Sequence, residues 1–250
     1  MIKKEKPKRF GLLGKNIDYS FSRNYFSKKF SDENLSNHSY VNFDLPSLEG
    51  FEQILYNEPN LNGLNVTIPY KKEIIPFLDH ITEESKLIGA VNTIVWNDSG
   101  KTIGHNTDHT GFKIALIKHV ETIPKKALIL GTGGASAAVR YALESLDCKV
   151  ILVSRNAEKN ELSYDDLDSK FIKNSQLIVN TTPLGTFPNL NEAPPIPYEY
   201  LNSNHLIFDL IYNPSETLFM KKGKQQGSQV INGYQMLVYQ AEKSWELWNQ

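Results

Sequence analysis

The chain has 250 residues, 40% of them hydrophobic and 22% charged, with a formal net charge of -1. That length can bury a sizeable core in one large domain or two modest ones, and the near-zero charge offers no bulk field to nucleic acid or an anionic membrane. The basic start MIKKEKPKRF has no apolar stretch behind it, and no window approaches the roughly 18 apolar residues that span a bilayer. The single cysteine, Cys148, opens an apolar run, so neither an intrachain disulfide nor a cysteine metal site is available. We expect a cytoplasmic protein whose partners are small molecules, with no metal, nucleic acid or membrane among them.

Taken in chain order, KRFGLLG, HSYVNFDL and LNGLNVTIP each carry a strand, and AVNTIVWNDSGKTIGHN reads as a hairpin around NDSG. Helices are expected between them, including SLEGFEQILYN and a segment after Pro69, and GHNTDHTGF leads from the hairpin into another helix. KKALILGTGGASAAVRYALESLDCKVILVSRN then reads strand, glycine turn, helix, strand, a βαβ unit of about 30 residues. SQLIVNTTPLG and HLIFDLIYNP are further apolar strands closed by turn residues, and the proline-rich TFPNLNEAPPIPYEYLN between them is a surface loop. Continuous apolar strands of this kind build an open parallel sheet flanked by helices, with its ligand crevice beyond the strands' carboxyl ends. GYQMLVYQAEKSWELWNQ has helical periodicity. The expected division places 1–107 with the C-terminal helix, 233–250, in one domain and 108–232 in the other.

GTGGAS sits between a strand and a helix, the context in which glycines let a pyrophosphate approach the backbone and a helix N-terminus. Gly131, Gly133 and Gly134, with Thr132 and Ala135 in the same turn, are the candidate phosphate cradle, although Ser136 stands where the third fingerprint glycine belongs. A tight turn that binds nothing is the alternative. Enzymes that use NAD place an acid at the end of the next strand, on the ribose hydroxyl. Here Ser154, Arg155 and Asn156 stand there, with Lys159 beyond them. A guanidinium matches a 2′-phosphate, so NADP is expected over NAD, unless Arg155 is only a solvated loop residue.

Four polar clusters precede that unit: DYSFS, NVTIPYK, GAVNT and GHNTDHTGF. By spacing alone, Asp108 reads as a helix cap, Asn92 as a turn residue, and Lys71 as either a solvated lysine or a held positive charge. NVTIPYK, GAVNT, NTDHTGF, GTGGAS, NTTPLG and INGYQMLVYQ nevertheless occur in an order and at a spacing that resemble the shikimate dehydrogenase family, from about Arg9 to the end of the chain. The resemblance implies an N-terminal α/β substrate domain, a Rossmann-like doubly wound nucleotide-binding domain, and a C-terminal helix returning to the first domain. It implies reversible, NADP-dependent reduction of 3-dehydroshikimate to shikimate by a monomer or homodimer, in aromatic amino acid biosynthesis. By position, it makes Lys71 the catalytic lysine and Asp108 its partner, with Asp108 also touching substrate. Ser20 and Ser22 would hold the substrate carboxylate, while Thr67, Asn92 and Gln240 would hold its hydroxyls or carboxylate. Tyr212 would lie near the substrate, Leu210 and Gly233 near the nicotinamide, and Glu83 near the cofactor.

The chemistry agrees with these residue types. Reducing a ketone by hydride transfer needs a proton for the oxygen, and an ordinary lysine is charged at neutral pH and can supply one. The chain departs from the family pattern in its first loop, where Asn16, Tyr19 and Arg23 replace a proline, a histidine and a proline. A quinate/shikimate dehydrogenase that uses NAD, and a non-catalytic nucleotide-dependent relative, are the competing readings.

Overall fold

The computed structural model describes residues 7–18 and 20–250. It divides into two compact units, one ending at Thr107 and taking in Ala241–Gln250, the other running Asp108–Gln240.

The first unit contains β1 (Lys8–Gly14), α1 (Phe21–Asp32), β2 (His38–Asp44), α2 (Phe51–Asn57), β3 (Leu61–Val66), β4 (His80–Ile81), α3 (Glu83–Ile88), β5 (Thr93–Trp96) and β6 (Thr102–His105). These six strands form one mixed sheet in the order β2-β1-β3-β5-β6-β4. β1 is parallel to β2 and β3, β5 is antiparallel to β3 and β6, and β4 is parallel to β6. The hairpin turns at Asn97–Gly100, where the Asn97 side chain accepts the N–H groups of Ser99 and Lys101 and Gly100 takes φ 76°.

No α-helix follows Pro69. Residues 68–74 are turns, continued by a short 3-10 turn at Ile75–Phe77. The reason is Pro76: an α-helix through this segment would need its N–H to reach the carbonyl four residues back, and proline has none.

The second unit contains α4 (Asp108–Ile117), β7 (Lys126–Leu130), α5 (Gly134–Glu144), β8 (Lys149–Ser154), β9 (Glu161–Ser163), α6 (Ser169–Lys173), β10 (Leu177–Asn180), β11 (Leu206–Asp209), α7 (Leu218–Gln225), β12 (Gln229–Ile231) and the first part of α8 (Tyr234–Trp248). Its sheet is parallel throughout, in the order β12-β11-β10-β7-β8-β9. The strand order reverses between β7 and β10, which is the doubly wound, Rossmann-like arrangement. Both faces are covered: Ala127, Ile129, Leu177, Val179 and Phe208 enter one core, while Leu128, Leu130, Ile178 and Ile207 enter the other. A strand with two buried faces has no polar alternation, hence its continuous apolar reading. Cys148 is a core residue, and burial raises its thiol pKa to about 11.

The division between units runs through α8. Met236 and Tyr239 pack with Phe112 and Phe208, whereas Ala241, Trp245 and Trp248 pack with Phe10 and Phe26. The break therefore falls after Gln240, so the first unit's share starts at Ala241, eight residues beyond the expected 233. Among the described residues, no helix is long and apolar enough to cross a membrane, and no three His, Cys, Asp or Glu side chains cluster as a metal site. The segment between β10 and β11 forms no strand or α-helix, only a 3-10 turn at Tyr198–Tyr200.

Candidate active site

In the first unit, strand direction decides which residues meet. Because β5 opposes β3 and β6, the carboxyl ends of β1, β2, β3, β4 and β6 and the start of β5 share one sheet edge. Along it, Gly14 pairs with Asp44, Leu13 with Val66, Thr93 with His105, and Ile81 with Gly104. Ser20 and Ser22 follow β1, Thr67 and Lys71 follow β3, Glu83 follows β4, and Asn92 immediately precedes β5.

Ser20 caps α1, its Oγ accepting the Ser22 N–H at 3.2 Å, and the neighbouring Tyr40 hydroxyl donates to Asn65 Oδ1 at 2.8 Å. Burial holds the Tyr40 hydroxyl well above its usual pKa, so it stays protonated. The loop before Ser20 is fastened by Asp44, whose carboxylate accepts the N–H groups of Asn16 and Ile17 at 2.9 and 3.0 Å. Asn16 takes φ 56°. A proline at this position has neither that N–H nor that φ, so this chain orders the loop by a different device. Tyr19 lies outside the described residues, and Arg23 is an exposed residue of α1.

Thr67 donates its N–H to Leu13 and accepts that of Tyr70, each at 2.9 Å. Lys71 is half-buried, and its carbonyl accepts the Val91 N–H at 2.7 Å, tying the turn to the segment that carries Asn92; Lys72 is exposed. Asn92 is buried, and its Oδ1 accepts the Thr107 N–H at 2.6 Å. Glu83 is exposed at the start of α3 and ion-paired with Lys86.

In the second unit, the carboxyl ends of the parallel strands make the corresponding edge. Asp108 opens α4 and is 6% exposed, and Gln240, in α8, is 7% exposed and donates to the Leu237 carbonyl at 2.9 Å. After β7, Gly131 has φ 106°, and a Cβ there would stand 2.8 Å from Thr181 Oγ1. Its bareness follows from the close approach of the β7 and β10 turns at the reversal of strand order. Gly133 and Gly134 differ: a Cβ on either would meet no protein atom within 4 Å, so the protein's own packing does not require glycine there. Open glycines at a helix N-terminus suit a pyrophosphate approaching from outside. Thr132 is exposed and Ala135 half-buried. Ser136, in the place of the third fingerprint glycine, is buried and donates its hydroxyl to the Gly131 carbonyl at 2.7 Å, which closes the turn.

At the end of β8, Ser154 Oγ accepts the Asn156 N–H at 3.3 Å, and Arg155, Asn156 and Lys159 are exposed. Burial raises the pKa of the Tyr164 hydroxyl, and the Arg155 charge acts on it in the opposite direction. After β11, Leu210 donates its N–H to Asn180 and Tyr212 is half-buried. A Cβ on Gly233 would stand 2.0 Å from the Leu210 carbonyl oxygen, so no other residue fits without moving that backbone.

Some of the residues that build these edges lie outside the sequence motifs' candidates. Asp209, wholly buried, accepts from Asn180 Nδ2 at 3.0 Å, the Ile211 N–H at 3.1 Å and Thr217 Oγ1 at 2.6 Å. Burial raises its pKa to about 6 against the opposing pull of those three bonds. It joins the end of β11 to the end of β10 and to the cap of α7. Asn65 does comparable service in β3. Both had a sequence signal, a polar side chain inside an apolar run, in LIFDLI and LNGLNV.

Comparison with known proteins agrees along the whole chain. Residues 12–94 match the family model described as the shikimate dehydrogenase substrate binding domain. A shikimate dehydrogenase (NADP(+)) of Carboxydothermus hydrogenoformans is 38% identical over 255 residues, covering 95% of this chain and 90% of that protein. A crystal structure of a shikimate dehydrogenase in complex with NADP+ superposes with a TM-score of 0.87 at 35% identity, over 96% of this chain and 89% of the other. The shikimate 5-dehydrogenase of Thermus thermophilus, solved with NADP(H) and shikimate, gives a TM-score of 0.86 at 28% identity, over 96% and 93%.

Proposed function

Since this chain belongs to the shikimate dehydrogenase family, we propose that it interconverts 3-dehydroshikimate and shikimate with NADP, the step that feeds aromatic amino acid biosynthesis. The observation that carries this reading is the sorting of candidates along two sheet edges. The substrate candidates Ser20, Ser22, Thr67, Lys71 and Asn92 follow one edge of the mixed sheet. The glycine turn, the basic end of β8, Leu210 and Tyr212 follow the carboxyl edge of the parallel one.

The residues present fit a dinucleotide. The open positions at Gly133 and Gly134 admit the pyrophosphate at the start of α5, where unpaired N–H groups and the helix dipole favour anionic charge. Arg155, with Ser154, Asn156 and Lys159, would hold the 2′-phosphate. Leu210 and Gly233 would flank the nicotinamide ring, and Glu83 is the acidic residue assigned near the cofactor. NADPH, when bound, supplies the hydride.

The protein's part is to bind, orient and move one proton. Ser20 and Ser22 offer hydroxyl donors to the substrate carboxylate, and Thr67, Asn92, Tyr212 and Gln240 hold the ring. Lys71 gives its proton to the carbonyl oxygen as the alcohol forms and takes it back in the reverse direction. Asp108 is the carboxylate that orients the lysine, and it also binds substrate. We place the enzyme in the cytoplasm as a monomer or homodimer, two states that light scattering of the purified protein separates.

The test is turnover of shikimate by the purified protein with NADP and with NAD, followed by the absorbance of the reduced nicotinamide. Robust turnover with NADP and a much smaller kcat/KM with NAD are expected. No turnover of shikimate with either cofactor would overturn the proposal.

A further inference from the structure

In the second unit, Leu130, Asn180 and Asp209 are the last residues of β7, β10 and β11, and they stand side by side, Asn180 paired with Leu130 on one flank and with Asp209 on the other. Asn180 and Asp209 are both wholly buried. A polar side chain at the end of a buried strand must find its partners in the turns beyond it. Asn180 Oδ1 accepts the Thr182 N–H at 3.0 Å, and Asp209 Oδ1 accepts the Ile211 N–H at 3.1 Å, so each residue bends its own turn by binding the peptide two positions on.

Backbone groups fix the direction of these bonds. A peptide N–H only donates, so Thr182 identifies Asn180 Oδ1 and leaves Asn180 Nδ2 to face Asp209 Oδ1, 3.0 Å away. That one amide–carboxylate bond couples the two turns. Towards β7, Thr181 gives both its N–H and its hydroxyl to the Leu130 carbonyl, at 3.0 and 2.7 Å, and lies against Gly131, where the glycine turn begins. Towards β12, Leu210 donates its N–H to the Asn180 carbonyl and Gly233 donates to that of Ile211, each at 3.0 Å. A dinucleotide running from the glycine turn to Leu210 has to cross the end of β10, beside the reversal of strand order.

We propose that Asn180 and Asp209 are positioning residues for the nicotinamide half of the cofactor: by locking the turn after β10 to the turn after β11, they fix where Leu210 and Gly233 stand relative to the glycine turn. The inference rests on the assignment of the glycine turn, Arg155, Leu210 and Gly233 to NADP. It goes further in giving two buried side chains, which the reaction itself does not use, a share in seating both halves of the cofactor at once. The adenosine half is assigned to the ends of β7 and β8, which lie on the far side of β7 from this bond. Breaking the bond therefore costs the nicotinamide half alone.

Calorimetric titration of the full chain with two probes, NADP and adenosine 2′,5′-bisphosphate, tests this, because the bisphosphate carries the 2′-phosphate and no nicotinamide. Asn180→Ala should weaken NADP about tenfold and leave the bisphosphate within about twofold of wild type. Asp209→Ala breaks the same bond from its other end and carries the same expectation, so the test survives if one of the two variants fails to fold. Asp209→Asn keeps an oxygen for Asn180 Nδ2 and the Ile211 N–H, and it should hold NADP within about twofold of wild type. Arg155→Ala is the reference and should weaken both probes. If it does so while a folded Asn180→Ala or Asp209→Ala weakens both probes equally, or neither, the positioning role is overturned and the cofactor site stands. If Arg155→Ala leaves both probes unchanged, the cofactor assignment fails, and this inference with it.

Discussion

The two sheet edges are backed by different kinds of buried polar group. Behind the substrate edge, Asn65, Asn92, Thr93, Thr107 and Ser244 are all neutral and are satisfied by one another. Behind the nucleotide edge, the corresponding service falls to Asp209, a carboxyl that gathers donors from Asn180, Ile211 and Thr217. A neutral network keeps its bonds at any pH. A buried carboxyl can join three elements at a single residue, but it titrates. The first unit's edge therefore rests on groups that do not titrate, and the second unit's edge rests on a group with its own pH dependence.

The largest expected effect is the loss of Lys71, the proposed proton carrier. Lys71→Met should lower kcat by roughly 10² to 10⁴ and leave KM nearly unchanged, since the missing interaction belongs to the transition state. Near-normal kcat in steady-state assays would move the chemistry away from the first unit's edge.

Asp209 sharpens the comparison through pH. Its folded pKa, about 6, lies above the ordinary 3.8. Its contribution to stability is therefore fully present below about pH 3.8 and is lost as the pH rises through about 6, a change on the order of 3 kcal/mol. Asp209→Asn resembles the protonated form: its NH2 can donate to Thr217 Oγ1 while its oxygen accepts from Asn180 and Ile211. Melting temperatures measured between pH 4 and 7 should fall for wild type relative to the variant. Parallel curves would mean that Asp209 does not titrate in this window.

Arg155→Ala should weaken NADP by about tenfold to a hundredfold and leave NAD nearly unaffected, because only NADP carries the phosphate that a guanidinium pairs with. Equal losses for both cofactors would make Arg155 a support of the turn and not its reader. The smallest effect is expected from Asp44→Ala, which releases the Asn16 and Ile17 N–H groups and should raise the KM for shikimate by about fivefold without changing kcat. An unchanged KM would show that the first loop holds its shape without that carboxylate.

Much of this was legible because it is local. Parallel strands buried on both faces wrote themselves as LIL, LIVN and LIFD; the glycine turn and the basic end of β8 sat at the spacing that a βαβ unit imposes. Pro76 was equally visible, and it limits any helix after Pro69 to a single turn or two. Asn16 could be read as a departure from proline, but its replacement bond could not, since Asp44 is 28 residues away.

By itself, then, the sequence determined the order of strands and turns, the chemistry each turn could offer, and the nucleotide it suits, because these depend on neighbours within a few residues. Only the tertiary structure decided that Asn65 meets Ser244 across 179 residues, that Asp209 meets Asn180 and Thr217, and that α8 changes core after Gln240. A buried polar side chain must find its partner wherever packing brings one, and packing joins residues without regard to their distance along the chain.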